Sequence, residues 1–220
     1  MLLTTEMLRR QYSNYSNPLD KIKREANSGH LIRITRGLYE TDKTIEPFLL
    51  APCILSPSYI SFEFALSYYG LIPERVYAIT SASFGVRKNK EFTNYFGRYT
   101  FSDIPKDVFP EGLTYIGEGD CMVRFATKEK AICDSLSKWR VIKSVKELKA
   151  LLFEDKRIDE DEFKTCDFSL LVELARLYKK TNLKFLLKLI EKEYTNKVWN
   201  IYILKKSILQ IHILKKSIET

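Results

Sequence analysis

Apolar and polar positions alternate along this chain with two periods, and the shift between them divides it. Near the start, Met7 and Leu8 form the apolar side of a short helix that Thr4 or Thr5 can cap and that runs through Tyr12. Ser13 to Ser16 breaks it. Asn17 followed by Pro18 restarts a helix, because Asn caps well and Pro is tolerated at the first helical position. Leu19, Ile22 and Ala26 then share one face, and Asp20, Lys21, Arg24 and Asn27 share the opposite one at about 100° per residue. Gly29 ends this helix. Leu31 to Thr35 alternates as a strand does, Arg36 and Gly37 make a turn, and Leu38 and Tyr39 return, so a basic hairpin is predicted.

From Glu46 to about Lys164 the pattern predicts strands and helices mixed. Tyr59 to Gly70 reads as a helix capped by Ser58 or Ser61, with Phe62, Leu66 and Tyr69 on one side and Pro73 forbidding its continuation. Strands are predicted over Val76 to Thr80, Tyr95 to Thr100, Leu113 to Ile116 and Met122 to Phe125. Helices follow over Lys128 to Trp139, with Ala131, Ile132, Leu136 and Trp139 inward, and over Val145 to Phe153. Aromatics at helical spacing (Tyr59, Phe62, Phe64, Tyr68, Tyr69) read as core. Beyond Phe168 the chain turns helical and basic: Leu170, Leu171, Leu174, Leu177 and Tyr178 line one helix, and Leu183, Leu186, Leu187 and Ile190 the next. The expectation is an α+β protein in three parts, 1–45, 46–164 and 165–220, the last ending in a direct repeat of ILKKSI at Ile203 and Ile213 that fits a helical extension.

Composition narrows the function. With 45% apolar and 13% aromatic residues the chain is not disordered. No apolar run reaches the ~18 residues of a membrane helix, and the start MLLTTEMLRR does not read as a signal peptide, so a soluble cytoplasmic protein without a membrane partner is expected. The net charge of +8 is uneven: residues 1–45 hold 8 Lys and Arg against 5 Asp and Glu, residues 46–170 hold 17 against 19, and residues 171–220 hold 11 against 4. Positive ends around a near-neutral middle point to a polyanionic partner. Cys53, Cys121, Cys133 and Cys166 lack C-x-x-C spacing, and His30 and His212 fall near none of them, so reduced buried thiols are expected and no metal or other cofactor. Phosphate-binding, dinucleotide-binding and hydrolase motifs are missing, and the chain reads as no enzyme. A third reading, behind a DNA-binding protein and a protein-interaction module, is a magnesium-dependent nuclease built on Glu154-Asp155-Lys156, although such spacing arises readily in the charge-rich stretch from Glu154 to Lys164.

Helix, turn, helix and basic hairpin is the layout of a winged helix-turn-helix, here an abbreviated one, since only about a dozen residues precede Ser13 where a further helix is usual. In that layout the second helix enters the major groove with Lys21, Arg24 and Asn27 outward, and Arg33 and Arg36 of the wing reach phosphates or the minor groove. Ser13, Tyr15 and Ser16 could add phosphate hydrogen bonds from the turn. A homodimer would pair two recognition helices on a repeated operator. The alternative is that these are ordinary solvated residues, and that the basic C-terminal helices restrain a protein partner without DNA.

The chain also resembles the AbiEi family, the antitoxin half of type IV toxin–antitoxin and abortive-infection systems of bacteria and archaea. The resemblance rests on Leu31-Ile32-Arg33-Ile34-Thr35-Arg36-Gly37-Leu38-Tyr39, on Pro57-Ser58-Tyr59-Ile60-Ser61-Phe62-Glu63, on Ala65 through Glu74 (ALSYYGLIPE), on Ile79-Thr80-Ser81, and on Ala126-Thr127-Lys128-Glu129-Lys130-Ala131 with Asp134. It spans about residues 18 to 180. It implies a phage-defence antitoxin that represses transcription of its own operon by binding double-stranded operator DNA and counters a nucleotidyltransferase toxin, without requiring a direct complex. Lys21, Arg24, Arg33 and Arg36 match the family's DNA-binding end; the antitoxic surface has no transferable motif.

Overall fold

The computed structural model describes residues 1–119 and 122–194, an α+β chain containing two β-sheets. The ILKKSI repeat and Cys121 lie outside the described residues. No described helix is long and apolar enough to cross a membrane.

The first sheet belongs to the N-terminal unit: β1 (Leu2–Thr4), α1 (Thr5–Gln11), α2 (Pro18–Asn27), β2 (Ile32–Thr35) and β3 (Leu38–Glu40), with strand order β1-β3-β2 and both pairings antiparallel. Local chemistry sets each boundary. Thr4 accepts from the Met7 N–H at the start of α1, and Asn17 Oδ1 accepts from Leu19 and Asp20 at the start of α2, as the sequence predicts. Gly37, at φ +80°, makes the hairpin turn, and its carbonyl accepts from Thr5 N at 2.9 Å. The strand β1 is not predicted by the sequence; three residues show too little alternation to be recognised.

Leu3, Leu8, Ile22 and Leu31 form the core of this unit, with Tyr12, Ala26 and Tyr39 packed against it. At about 1.5–3 kcal/mol per buried side chain, four residues hold some forty poorly. The hairpin supplies the missing contact. Ile34 belongs to the main core, and Asn94 Nδ2 donates to the Ile34 carbonyl at 3.1 Å. The unit is therefore built onto the body.

The body holds a six-stranded sheet of order β6-β7-β5-β4-β9-β8: β4 (Ser58–Ile60), β5 (Ile79–Ser83), β6 (Lys90–Asn94), β7 (Gly97–Asp103), β8 (Leu113–Ile116) and β9 (Val123–Ala126). Pairings β4·β9 and β5·β7 are parallel, the others antiparallel. Register sets Ile60, Ser81, Phe101 and Phe125 abreast on one face and Tyr59 with Ala82 on the other. The first face is covered by a 3-10 turn (Pro47–Leu50) and α3 (Ala51–Ile54): Phe48 meets Phe125 edge to face at 6.1 Å, and Tyr99 donates to the Pro47 carbonyl at 2.9 Å. Over the second lie α5 (Lys128–Lys138), α8 (Phe168–Leu177) and α9 (Thr181–Glu193), mutually packed, with α6 (Val145–Lys149) against α9.

Several sequence readings need correction. Tyr59 to Gly70 is not one helix: β4 ends at Ile60 and α4 spans Phe62–Tyr68, with Phe62 itself at φ +57°. A left-handed Phe costs roughly 1–3 kcal/mol. It is held by Ser61 N donating to the Thr80 carbonyl and by Thr80 Oγ1 accepting from Phe64 N, both at 3.0 Å. Of Tyr95 to Thr100, Tyr95 and Phe96 are the turn of a β6–β7 hairpin and Gly97 to Thr100 begin β7, and the strand placed at Val76 to Thr80 is β5, three residues later. Val145 to Phe153 is α6 followed by a π-helical turn (Ala150–Asp155), and α7 (Glu160–Lys164) follows. Tyr68 and Leu177 are exposed rather than core, and so is Cys53, whereas Cys133 and Cys166 are buried thiols, the latter pushed by burial up to about 12.

Gly112, at φ +66°, sits where an added Cβ would lie 2.9 Å from Leu174 Cδ1 and 3.1 Å from Lys130 Cβ. Gly112→Ala should therefore cost on the order of 1–3 kcal/mol. Urea unfolding would show it as a lowered midpoint; an unchanged midpoint would mean that β8 and α8 are not so closely packed.

Candidate nucleic-acid interface

One outward stripe of α2 carries Asp20, Lys23, Arg24 and Asn27, at helical spacings of three and four. With Tyr15, Ser16 and Asn17 from the preceding turn these residues line a shallow groove of about 490 Å³. Asp20 is engaged by its own cap, Asn17 Nδ2 donating to Asp20 Oδ2 at 2.7 Å. Lys23 and Arg24 form no ion pair among the described residues, and their charge is open to an incoming anion.

Lys21 lies elsewhere. It is half-buried, hydrogen-bonded to Glu25 one turn on, and sits over the rings of Tyr15 and Tyr12 at 5.2 and 5.8 Å. Its hydrogen bond to Glu25 raises its pKa and holds the Glu25 carboxyl below its usual range, burial opposing both shifts. Helical spacing alone puts Lys21 beside Arg24; the two tyrosines after α1 draw it in. Lys23 takes its place outside. The sequence reading missed Lys23 because it counted Leu19 as core, and Leu19 is exposed.

Arg33 and Arg36 are both exposed on the hairpin, Arg33 projecting from β2 between the buried Ile32 and Ile34 and Arg36 lying beside Gly37 in the turn. Arg33 Nε donates to the Thr35 carbonyl at 3.4 Å, and neither arginine has an acidic partner among the described residues. Helix and hairpin are locked together at their junction. The Glu25 carbonyl accepts from both His30 N at 3.0 Å and Leu31 N at 3.2 Å, while Glu25 Oε2 lies 2.9 Å from His30 Nδ1. Arg24 and Asn27 thus share one groove, and Arg33 and Arg36 form a second positive group held at a set angle to it.

A second polar constellation is internal. Asp134 of α5 is fully buried; its Oδ2 accepts from Tyr59 at 2.9 Å and Ser61 at 2.7 Å, its Oδ1 from Tyr178, and Lys130 Nζ lies 3.8 Å from Oδ1. Lys130 donates to the Val108 carbonyl and sits 5.5 and 5.0 Å over the rings of Tyr59 and Tyr178. Burial lowers the Lys130 pKa against the pull of Asp134, and burial together with Asp134 raises those of both tyrosines, so the hydroxyls stay protonated donors. Two of the segments that carry the family resemblance, Pro57 to Glu63 and Ala126 to Asp134, meet here. Because Lys130 and Asp134 are sealed from solvent, what they supply is attachment of β4, α5 and the end of α8.

The Glu154-Asp155-Lys156 triplet does not converge on a cavity. Asp155 pairs with Arg140 at 2.8 Å, Lys156 lies 5.2 Å over the Trp139 ring, and Glu154 is exposed. Among the described residues no group of three or more His, Cys, Asp or Glu could hold a metal ion.

Asp134→Ala would strand a buried ammonium and three hydroxyls, at roughly 3–5 kcal/mol. Thermal or urea unfolding should show that loss, and adding Lys130→Met should recover part of it. Recovery of nothing would mean that the cation is not what makes the loss large.

No family model matches the chain, and no curated protein matches it.

Proposed function

We propose that this chain is an AbiEi-type antitoxin of a type IV toxin–antitoxin pair, a cytoplasmic protein that binds duplex operator DNA and represses its own operon. The observation that carries the DNA-binding half is the set of exposed cations, without ion pairs among the described residues, on α2 and on the β2–β3 hairpin, arranged on a helix, turn, helix and hairpin. In a winged helix-turn-helix reading, α2 enters the major groove and the hairpin is the wing. Arg24 and Asn27 have the donors for paired hydrogen bonds to guanine or adenine edges, Lys23 suits phosphate, and Arg33 and Arg36 reach the backbone or the minor groove. The strand β1 and the docking of Ile34 on the body brace helix and hairpin in this reading.

Lys21 acts one step removed in this reading, holding the Tyr12–Tyr15 turn that shapes the groove. The antitoxic half rests on the sequence resemblance alone, and the partner it implies is a nucleotidyltransferase toxin, countered with or without contact.

A specific feature favours a second reading, a module that restrains an acidic protein partner without DNA. Lys180, Lys184, Lys188 and Lys192 recur every four residues along α9, all exposed. Like charges at this spacing cost a helix about 0.2–0.5 kcal/mol per pair.

Binding of the full chain to DNA upstream of its own gene, followed by fluorescence anisotropy across salt, tests the first reading. Arg33→Ala with Arg36→Ala should flatten the slope of log affinity against log salt by up to about 1.8, or about 0.9 per phosphate contact removed. Arg24→Ala should cost on the order of 1–3 kcal/mol and relax base preference. Lys21→Ala should leave the salt slope nearly unchanged while lowering the melting temperature. An unaltered slope in the double arginine variant would remove the wing from the interface and favour the second reading.

A further inference from the structure

A groove of about 610 Å³ opens at the C-terminal end of β5. Its walls include Leu55, Pro57, Phe84 and Val86. Its remaining lining includes Arg87, Lys88 and Lys90, all exposed, and contains no carboxylate. Lys106 stands nearby, its Nζ 5.9 Å from the Phe84 ring centre.

The loop that bears these cations is anchored on both sides. Gly85, at φ +72°, turns the chain, buried Val86 follows it inward, and Val86 N donates to Asp103 Oδ1 at 3.0 Å. Phe84 packs edge to face on Phe109 at 4.8 Å, and Ser83 Oγ donates to the Pro57 carbonyl at 2.7 Å. Arg87, Lys88 and Lys90 form no ion pair among the described residues, and the neighbouring Glu91 is taken by Arg98 at 2.7 Å. Arg87 and Lys88 on the pinned loop and Lys90 at the start of β6 thus bring three positive charges to one groove.

We propose that this groove binds a nucleoside polyphosphate, the phosphates on Arg87, Lys88 and Lys90 and the base against the Leu55, Pro57 and Phe84 wall. The volume admits a small molecule, since small-molecule pockets span about 300–1,000 Å³. Duplex nucleic acid, with its bases stacked inside, would use the cations and leave the apolar wall idle. A free anion would do the same. A ligand that joins a polyphosphate to a flat apolar body uses both, and inorganic triphosphate and adenosine are the two halves of that ligand.

Isothermal titration of the full chain with ATP, with inorganic tripolyphosphate and with adenosine tests this. The expected result is saturable binding of ATP at sub-millimolar concentration, with each half at least tenfold weaker. Arg87→Ala with Lys88→Ala should weaken ATP at least tenfold, and Leu55→Ser should narrow the gap between ATP and tripolyphosphate. Arg33→Ala with Arg36→Ala should leave ATP binding unchanged, which separates this site from the DNA-binding surface. Tripolyphosphate as tight as ATP, an oligonucleotide that displaces ATP at stoichiometric concentration, full affinity in the Arg87 and Lys88 variant, or no saturation would each overturn the assignment.

Discussion

The body is organised around one carboxylate. Asp134 sits on α5 with no route to water and gathers hydroxyls from β4, from the residue that follows β4 and from the end of α8, with the Lys130 ammonium beside it. Burying an anion in this way is tolerable because three hydroxyls donate to it and a cation stands close. The geometry then propagates. Ser61 is fixed by Asp134, the backbone of Phe62 swings into the left-handed region, and α4 departs from the sheet at the angle that brings Tyr69 to the Ala126 carbonyl at 2.9 Å.

The N-terminal unit depends on that body. Its own core is four residues deep, and the hairpin that completes it presents Ile34 to the main core and its carbonyl to Asn94 on an edge strand. Such a hairpin has no freedom to swing by itself. Glu25 extends the same rigidity to α2 through its carbonyl and carboxylate, so the exposed groups of helix and hairpin keep one mutual arrangement.

Short-range signals in the amino-acid sequence were enough for the caps and turns. Thr4, Asn17 and Gly37 mark their boundaries because each supplies a local hydrogen bond or a backbone angle that few other residues supply. Long-range contacts were not legible. Tyr59 looks helical beside Phe62 and Tyr69, yet it is a strand residue because Ala82 lies opposite it in β5. The Tyr95–Phe96 pair looks like the heart of a strand and is a turn, for Asn94 Oδ1 accepts from Phe96 N at 2.8 Å and Gly97 at φ +139° lets β7 begin. The same limit applied to the surface. Arg24, Asn27, Arg33 and Arg36 could be placed outside by periodicity, while Lys21 could not be placed correctly without knowing that two tyrosines from the turn stand over it.

Asp20 gives the outer stripe of α2 a direction. One carboxylate occupies its leading turn and two cations with an amide occupy the rest, so a negatively charged chain laid along the helix is repelled at one end and drawn at the other. A uniformly basic helix would hold a polyanion equally well anywhere along its axis. Here the charge order moves the contact off the leading turn and toward Lys23, Arg24 and Asn27.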